Sequence, residues 1–278
     1  MSGIEVEFHE IIELITFIRE KHKFDFGDYA VSSFKRRLLR FLDLYKLYTV
    51  KNLINRLSTE AIFFEVFLKE VTVNTTEMYR DPLFWKALKE SVFPVFKNLS
   101  TIRIWHSACS TGEEVFSMCI ALKEAGLYDK TKIYASDINE DVIFKALSRK
   151  YYTRNMVLNE LNYIASGGCF NLSDYYEQSG DSVMMDVDLL KNVTFERFDL
   201  VLDQQYSKFD LILCRNVLIY FNLQLQDKLV DKFFNNLEVD GFLALGAQET
   251  IAFCKSSEKY SAFLSENKIF KKDKARIN

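Results

Sequence analysis

Breakers are scarce: the 278-residue sequence holds two prolines and nine glycines. That scarcity argues against a loop-rich all-β chain and favours long helices with buried strands. Cysteine is sparse and odd in number, at Cys109, Cys119, Cys169, Cys214 and Cys254, with no CxxC spacing. A disulfide framework is therefore not expected, and the thiols read as reduced and mostly buried. The three histidines, His9, His22 and His106, stand far apart, so no metal site is expected. No uninterrupted apolar run reaches ~18 residues, and no basic-then-apolar leader opens the chain, so the expectation is a cytoplasmic protein without membrane insertion. A formal net charge of −3 lacks the global footprint of a nucleic-acid binder. Apolar residues, by contrast, are plentiful: 49% of the chain is hydrophobic, with 25 phenylalanines, which supports a sizeable core.

Two regimes divide the chain. The first ~70 residues read as wholly helical. Phe8, Ile11, Ile12, Ile15 and Ile18 share one helical face. A second helix is expected from about Ser33, with Phe34, Leu38, Phe41, Leu42 and Tyr45 as its apolar stripe. Lys35, Arg36, Arg37 and Arg40 crowd its other faces. Shorter helices are expected over Val50–Leu57 and Glu60–Val71, the latter capped by Ser58 or Thr59. The Phe-rich run from Ile62 to Phe67 reads as helical core.

Beyond about Arg80, strands alternate with helices. A helix over Pro82–Phe96 leads to a strand at Ile102–His106. A helix over Glu113–Ala125, a strand over Lys132–Ser136 and a helix from Glu140 follow. Later strands are expected at Val193–Phe198, Phe209–Cys214 and Phe242–Gly246, with an amphipathic helix (Leu225, Leu229, Phe233, Leu237) before the last. This order implies parallel βαβ units. Residues 155–192 resist assignment and read as an insertion. The Lys268–Arg276 stretch is basic and short, and reads as a frayed end.

The informative segment is Ile104-Trp-His-Ser-Ala-Cys-Ser-Thr-Gly-Glu-Glu114. A strand enters a small-residue turn with one glycine, and a helix starts at once, so a ligand can approach helix N-terminal amides. GxGxxG spacing is absent, and two acids open the helix. Those acids suit the helix dipole, and they would repel a pyrophosphate while suiting a cationic ligand. That weighs against a nicotinamide oxidoreductase. Asp137 ends the next strand in Ala-Ser-Asp-Ile-Asn, where an acid can accept both ribose hydroxyls. The plainer reading is that Asp137 or Asn139 caps the following helix. Arg215-Asn216 follows an apolar strand, again at a carboxyl edge.

Together, Asn74-Thr-Thr-Glu-Met-Tyr-Arg80, Ser110-Thr-Gly-Glu-Glu114, Ala135-Ser-Asp-Ile-Asn139 and Cys214-Arg-Asn-Val-Leu-Ile-Tyr-Phe221 resemble the CheR family of chemoreceptor methyltransferases, in order and over nearly the whole chain. The resemblance implies a Rossmann-like α/β S-adenosylmethionine-dependent methyltransferase domain, residues 73–278, preceded by a small all-α domain, residues 1–72, that recognises the receptor. It implies protein-glutamate O-methylation, with S-adenosylmethionine consumed and S-adenosylhomocysteine released. Cofactor contacts carry over to Asn74, Thr76, Arg80, Glu113, Asp137, Asp199, Leu200, Arg215 and Asn216, with Arg80 and Asn216 as catalytic candidates. Glu113 is assigned to the methionine ammonium, Asp137 to the ribose, Asp199 to the adenine amino group, and Arg80 to the substrate or methionine carboxylate. Lys35, Arg36, Arg37 and Arg40 become candidates for docking the acidic cytoplasmic helices of a chemoreceptor; as a charge run alone they read as a solvated face. The sequence departs from the family pattern at Asp199, usually Asn, at His106 and Ser107, usually smaller, and at Val115, often Pro. It matches poorly across 155–192, where the family carries a β-subdomain that can dock a receptor tail. Rival readings are a methyltransferase for another protein, and a module that binds the same ligand without turnover.

Overall fold

The computed structural model describes residues 5–60, 62–72, 76–204 and 207–273. Two compact units separate by their contacts. One comprises residues 1–74 with 219–226, and the other residues 75–218 with 227–278.

Among the described residues before position 75, the first unit holds four helices: α1 (Phe8–His22), α2 (Val31–Leu44), α3 (Val50–Thr59) and α4 (Phe63–Val71). The capping box of Glu7 with Glu10 starts α1, and the Thr49 hydroxyl starts α3 by accepting from the Asn52 amide at 3.1 Å. Ile11, Leu14, Ile15 and Ile18 form the buried face of α1. Phe8 and Ile12, expected on that stripe, are exposed, because the buried arc is centred on Leu14. Phe26 sits at the centre of an aromatic cluster, with ring centroids of Phe24, Tyr29 and Phe34 at 4.5, 4.9 and 5.0 Å. α4 begins later than expected: Ile62 precedes it, exposed and without a side-chain cap, so neither Ser58 nor Thr59 serves.

The second unit is built on a seven-stranded sheet, ordered β6-β2-β1-β7-β8-β10-β9. Its strands are β1 (Ile102–His106), β2 (Thr131–Asp137), β6 (Val193–Arg197), β7 (Phe209–Cys214), β8 (Leu237–Leu245), β9 (Tyr260–Leu264) and β10 (Ile269–Lys272). The five from β6 to β8 run parallel, while β10 lies antiparallel to both β8 and β9. Strands covered on both faces carry apolar runs rather than alternation. Phe209–Cys214 is buried at five of its six positions. Trp105 of β1 is fully buried, stacks on Phe209 at 5.3 Å, and donates its indole N–H to the Ser136 hydroxyl at 2.9 Å.

Helices cover the faces: α5 (Pro82–Ala87), α6 (Phe93–Phe96), α7 (Glu113–Glu124), α8 (Glu140–Ser148), α9 (Thr153–Ala165) and α10 (Leu223–Asn236). Between α5 and α6, residues Leu88–Val92 form a π-helical segment, with the Phe93 amide bonded to the Leu88 carbonyl. Pro94 lacks an amide and crowds the turn before it, and the wider winding accommodates that ring.

Two expectations are corrected here. The stretch read as a frayed end contains β10, with Ile269 fully buried and the Lys272 ammonium donating to the Phe234 and Leu237 carbonyls at 2.8 Å each. Its basic residues hid a strand because one of them caps the end of α10 instead of facing water. The unread insertion is ordered. β3 (Lys150–Tyr152) precedes α9, β4 (Tyr176–Ser179) and β5 (Ser182–Met185) follow it, and the three strands form an antiparallel sheet ordered β3-β5-β4.

Candidate active site at the carboxyl edge of the parallel strands

Parallel strands bring their carboxyl ends to one edge, and the chain leaves β1, β2, β6, β7 and β8 there through five loops. The first loop is tied on both sides. Ser107 donates its amide to the Leu213 carbonyl at 2.9 Å, and Cys109 donates to the Ser136 carbonyl at 2.8 Å. Ser110 and Gly112 adopt left-handed conformations, with φ of 49° and 92°. Gly112 is required twice over, since a Cβ there would lie 2.7 Å from the Ala146 methyl of α8.

Asp137 closes β2 beneath this loop. Its Oδ2 accepts from the Ser110 amide at 2.9 Å and its Oδ1 from the Asn139 amide at 3.0 Å. Each carboxylate oxygen has a second lone pair for a ligand hydroxyl. Asp137 is 7% exposed; burial raises its pKa, and the Asn139, Ser110 and Ile138 amides oppose the rise. Asn139 caps α8 by accepting from the Asp141 amide at 2.9 Å. Its buried Nδ2 has no partner among the described residues. Capping and ligand binding, set against each other in the sequence, are thus compatible here.

Glu113 opens α7 at 7% exposure. Burial pushes its pKa up to about 7, against the Thr111 hydroxyl, its own amide and the Lys145 charge. Thr111 donates to Oε2 at 2.6 Å, and the Tyr151 hydroxyl fixes Thr111 through its carbonyl at 2.7 Å. A carboxylate so poorly solvated favours a positive partner.

Glu114 lies beside it with a different task. Its Oε1 meets His106 Nδ1 at 2.8 Å and its Oε2 accepts from Arg215 Nη1 at 2.9 Å. Despite burial, the His106 bond and the Arg215 charge hold its pKa below the usual value. Arg215 also donates through Nη2 to Asp81 at 2.7 Å and to the Arg80 carbonyl at 3.1 Å, and lies over the Phe84 ring at 4.1 Å. Its side chain is 1% exposed. Arg215 therefore joins the β7 exit to the start of α5 and to α7. Both terminal nitrogens serve protein acceptors, while its buried Nε has no partner among the described residues.

The remaining candidates fall as follows. Asn74 lies outside the described residues. Thr76 and Arg80 are half-buried, flanking the buried Met78 and Tyr79. α9 grips this segment: Asn159 Oδ1 accepts from the Met78 amide at 3.1 Å, and Asn162 Nδ2 donates to the Met78 carbonyl at 3.1 Å. Asp199 and buried Leu200 follow β6, next to Asp137, whose carbonyl accepts from the Phe198 amide at 2.9 Å. Asp199 Oδ1 accepts from the amides of Val201 and Leu202 at 2.7 and 3.2 Å, so this oxygen shapes its own turn. Asn216, with φ of 62°, follows Arg215. On α2, Arg36 and Arg40 are exposed and Lys35 is half-buried. Arg37 is buried, donating to the Val71 carbonyl at 2.7 Å and lying over the Tyr220 ring at 4.6 Å. It is removed from the basic docking face, because these acceptors hold its guanidinium inside the helical unit.

Sequence reasoning missed Glu249. At 3% exposure its carboxylate accepts from four amides: Asn216 and Gly246 to Oε2 at 2.8 and 2.6 Å, and Val217 and Leu218 to Oε1 at 2.8 and 2.7 Å. Burial raises its pKa, and those four donors oppose the rise. No spacing announced it, since the contact joins two loops over 30 residues apart in sequence.

The edge fits S-adenosylmethionine. Among the described residues, the buried Glu113 carboxylate has no cation in contact and suits the ammonium, and Asp137 with the unpartnered Asn139 amide suits the ribose hydroxyls. Comparison with known proteins agrees. The sequence model described as CheR methyltransferase, SAM binding domain, matches residues 74–268, and that described as CheR methyltransferase, all-alpha domain, matches residues 9–72. The chain is 38% identical to Cher3 of Pseudomonas putida over 95% of its own length and 96% of that protein's. It is 30% identical to a chemotaxis protein methyltransferase of Listeria innocua, covering 80% of this chain and 83% of the relative. A chemotaxis protein methyltransferase of Borreliella burgdorferi is also 30% identical, covering 81% and 84%. With both domains matched, this chain belongs to the CheR methyltransferase family and uses S-adenosylmethionine as its methyl donor.

Proposed function

We propose that the protein methylates glutamate side chains on the cytoplasmic helices of a chemoreceptor, forming methyl esters. The observation that carries this reading concerns His106. It is the histidine at the carboxyl edge, yet it is fully buried with Nδ1 engaged by Glu114. An amine or hydroxyl acceptor needs a base to take its proton. A glutamate, with an ordinary pKa of about 4.3, is already ionised at neutral pH and needs none.

The bound donor would supply an electrophilic methyl group on a sulfonium, leaving S-adenosylhomocysteine after transfer. The chain's own residues would bind and orient. Glu113 would hold the methionine ammonium, Asp137 and Asn139 the ribose hydroxyls, and the turn at Asp199 and Leu200 the adenine. Arg80 would steer the acceptor carboxylate, and Asn216 would lie beside the reacting atoms. Rate enhancement then comes from alignment and partial desolvation of the nucleophile. Arg36 and Arg40, with Lys35, offer a basic face to an acidic helical acceptor. The chemotaxis names of the Listeria and Borreliella relatives support a chemoreceptor as that acceptor.

The test is transfer of labelled methyl from S-adenosylmethionine to receptor cytoplasmic fragments, followed by mild base. Release of the label as methanol is expected. Base-stable label, or no transfer to any receptor fragment, would overturn the reading.

A further inference from the structure

Successive backbone amides that converge on one point form a nest for an anion, usually one brought by a ligand. After β7, the amides of Asn216, Val217 and Leu218 converge in this way, and the anion they hold is the chain's own Glu249. Gly246, at the exit of β8, adds the fourth donor. The packing is close: a Cβ on Gly246 would lie 2.6 Å from Asn216 Nδ2 and 2.8 Å from both the Asn216 nitrogen and Glu249 Oε2. The Asn216 amide therefore lies directly against the β8 exit. Asn216 also keeps a left-handed backbone, which asparagine tolerates better than most residues but which needs support from its surroundings.

We infer that Glu249 is a positioning residue for methyl transfer, locking the Asn216 turn so that the Asn216 side chain is held over Gly246 at the carboxyl edge. The inference rests on the proposed placement of Asn216 beside the reacting atoms. Glu249 itself touches neither donor nor acceptor. Its carboxylate is consumed by four amides, and its action passes through the backbone of the residue it fixes. Neutralising it while keeping its shape turns a point of four accepted bonds into an amide, whose NH₂ faces donors.

The experiment compares the full chain with Glu249→Gln, Asn216→Ala and the double variant, with Gly246→Ala as a second disturbance of the same contact. Hydrogen exchange at the amides of residues 216–218 and 246 is read without any acceptor; kcat and the S-adenosylmethionine KM are read with one. Glu249→Gln should accelerate exchange at those amides by about tenfold or more, and lower kcat by about 10- to 100-fold, the scale of a small misplacement. KM for the donor should move far less. Gly246→Ala should lower kcat in the same way with Glu249 intact. In the Asn216→Ala background, Glu249→Gln should cost little more, because both act through one group. Unchanged exchange, or a kcat loss as large with Asn216 absent as with it present, would overturn the inference. Should the wild-type chain esterify no receptor, the functional reading fails and the exchange data alone decide the role of Glu249.

Discussion

Two adjacent glutamates begin α7 and meet opposite surroundings. Glu114 is met by His106 and Arg215, whereas Glu113 is buried and, among the described residues, has a single side-chain donor, Thr111. The pKa of Glu113, raised from 4.5 to about 7, means the folded chain holds a proton there that the unfolded chain releases. Between those two values stability falls as pH rises, by about 3 kcal/mol in all, and the loss is complete above the folded pKa. Glu113→Gln removes that loss, so its ligand-free form should melt higher than wild type at pH 8 and about equally at pH 4. The same variant should bind S-adenosylmethionine roughly 30-fold more weakly, reflecting a lost charge-assisted bond of about 2 kcal/mol. Wild-type affinity should rise with pH through about 7 as Glu113 ionises, while the Gln variant stays flat over that range. Melting curves and titrations at several pH values check both parts. The sequence revealed two acids at a helix start, but the distinction between them depends on His106 and Arg215, which lie 8 and 101 residues away from Glu114.

At the scale of elements, Arg215 holds three of them together: the β7 exit, the start of α5 and the first turn of α7. Arg215→Met should cost about 3–5 kcal/mol, because Glu114 is left charged and buried while Asp81 loses its partner. A fall in the urea midpoint with the slope unchanged is the expected reading; a change below about 0.5 kcal/mol would count against the network. Apolar character made β7 legible to the residue, since Phe209 and Leu211–Cys214 form an apolar stretch broken only by Asp210. It failed on α9, whose buried face mixes Met156 and Tyr163 with Asn159 and Asn162, while Val157, Leu158, Leu161 and Ile164 are exposed. A helix that spends buried asparagines on a neighbouring backbone and exposes its aliphatic residues cannot be recognised from hydrophobic spacing. β10 was obscured in the same way, with Lys272 buried where a lysine predicts solvent.

At the scale of the whole molecule, the chain separates into two compact units, and the two family models match residues 9–72 and 74–268. Residues 219–226 group with the helical unit although they lie far along the chain, a return that no local pattern announces. Acceptor recognition is expected to belong to the helical unit and methyl-donor binding to the sheet. Reversing charge at Arg36 and Arg40 together should raise the acceptor KM by about tenfold, near 1.4 kcal/mol, and leave donor affinity unchanged. Equal loss of both would show that the substitution had damaged the fold instead. The central claim remains the carboxylate-lined edge of the parallel strands. Calorimetric titration of S-adenosylmethionine into wild type and Asp137→Ala, each first shown to melt cooperatively, tests it most directly. The predicted result is saturable binding to wild type and a loss of about tenfold or more in the variant; equal affinity in the two would contradict it.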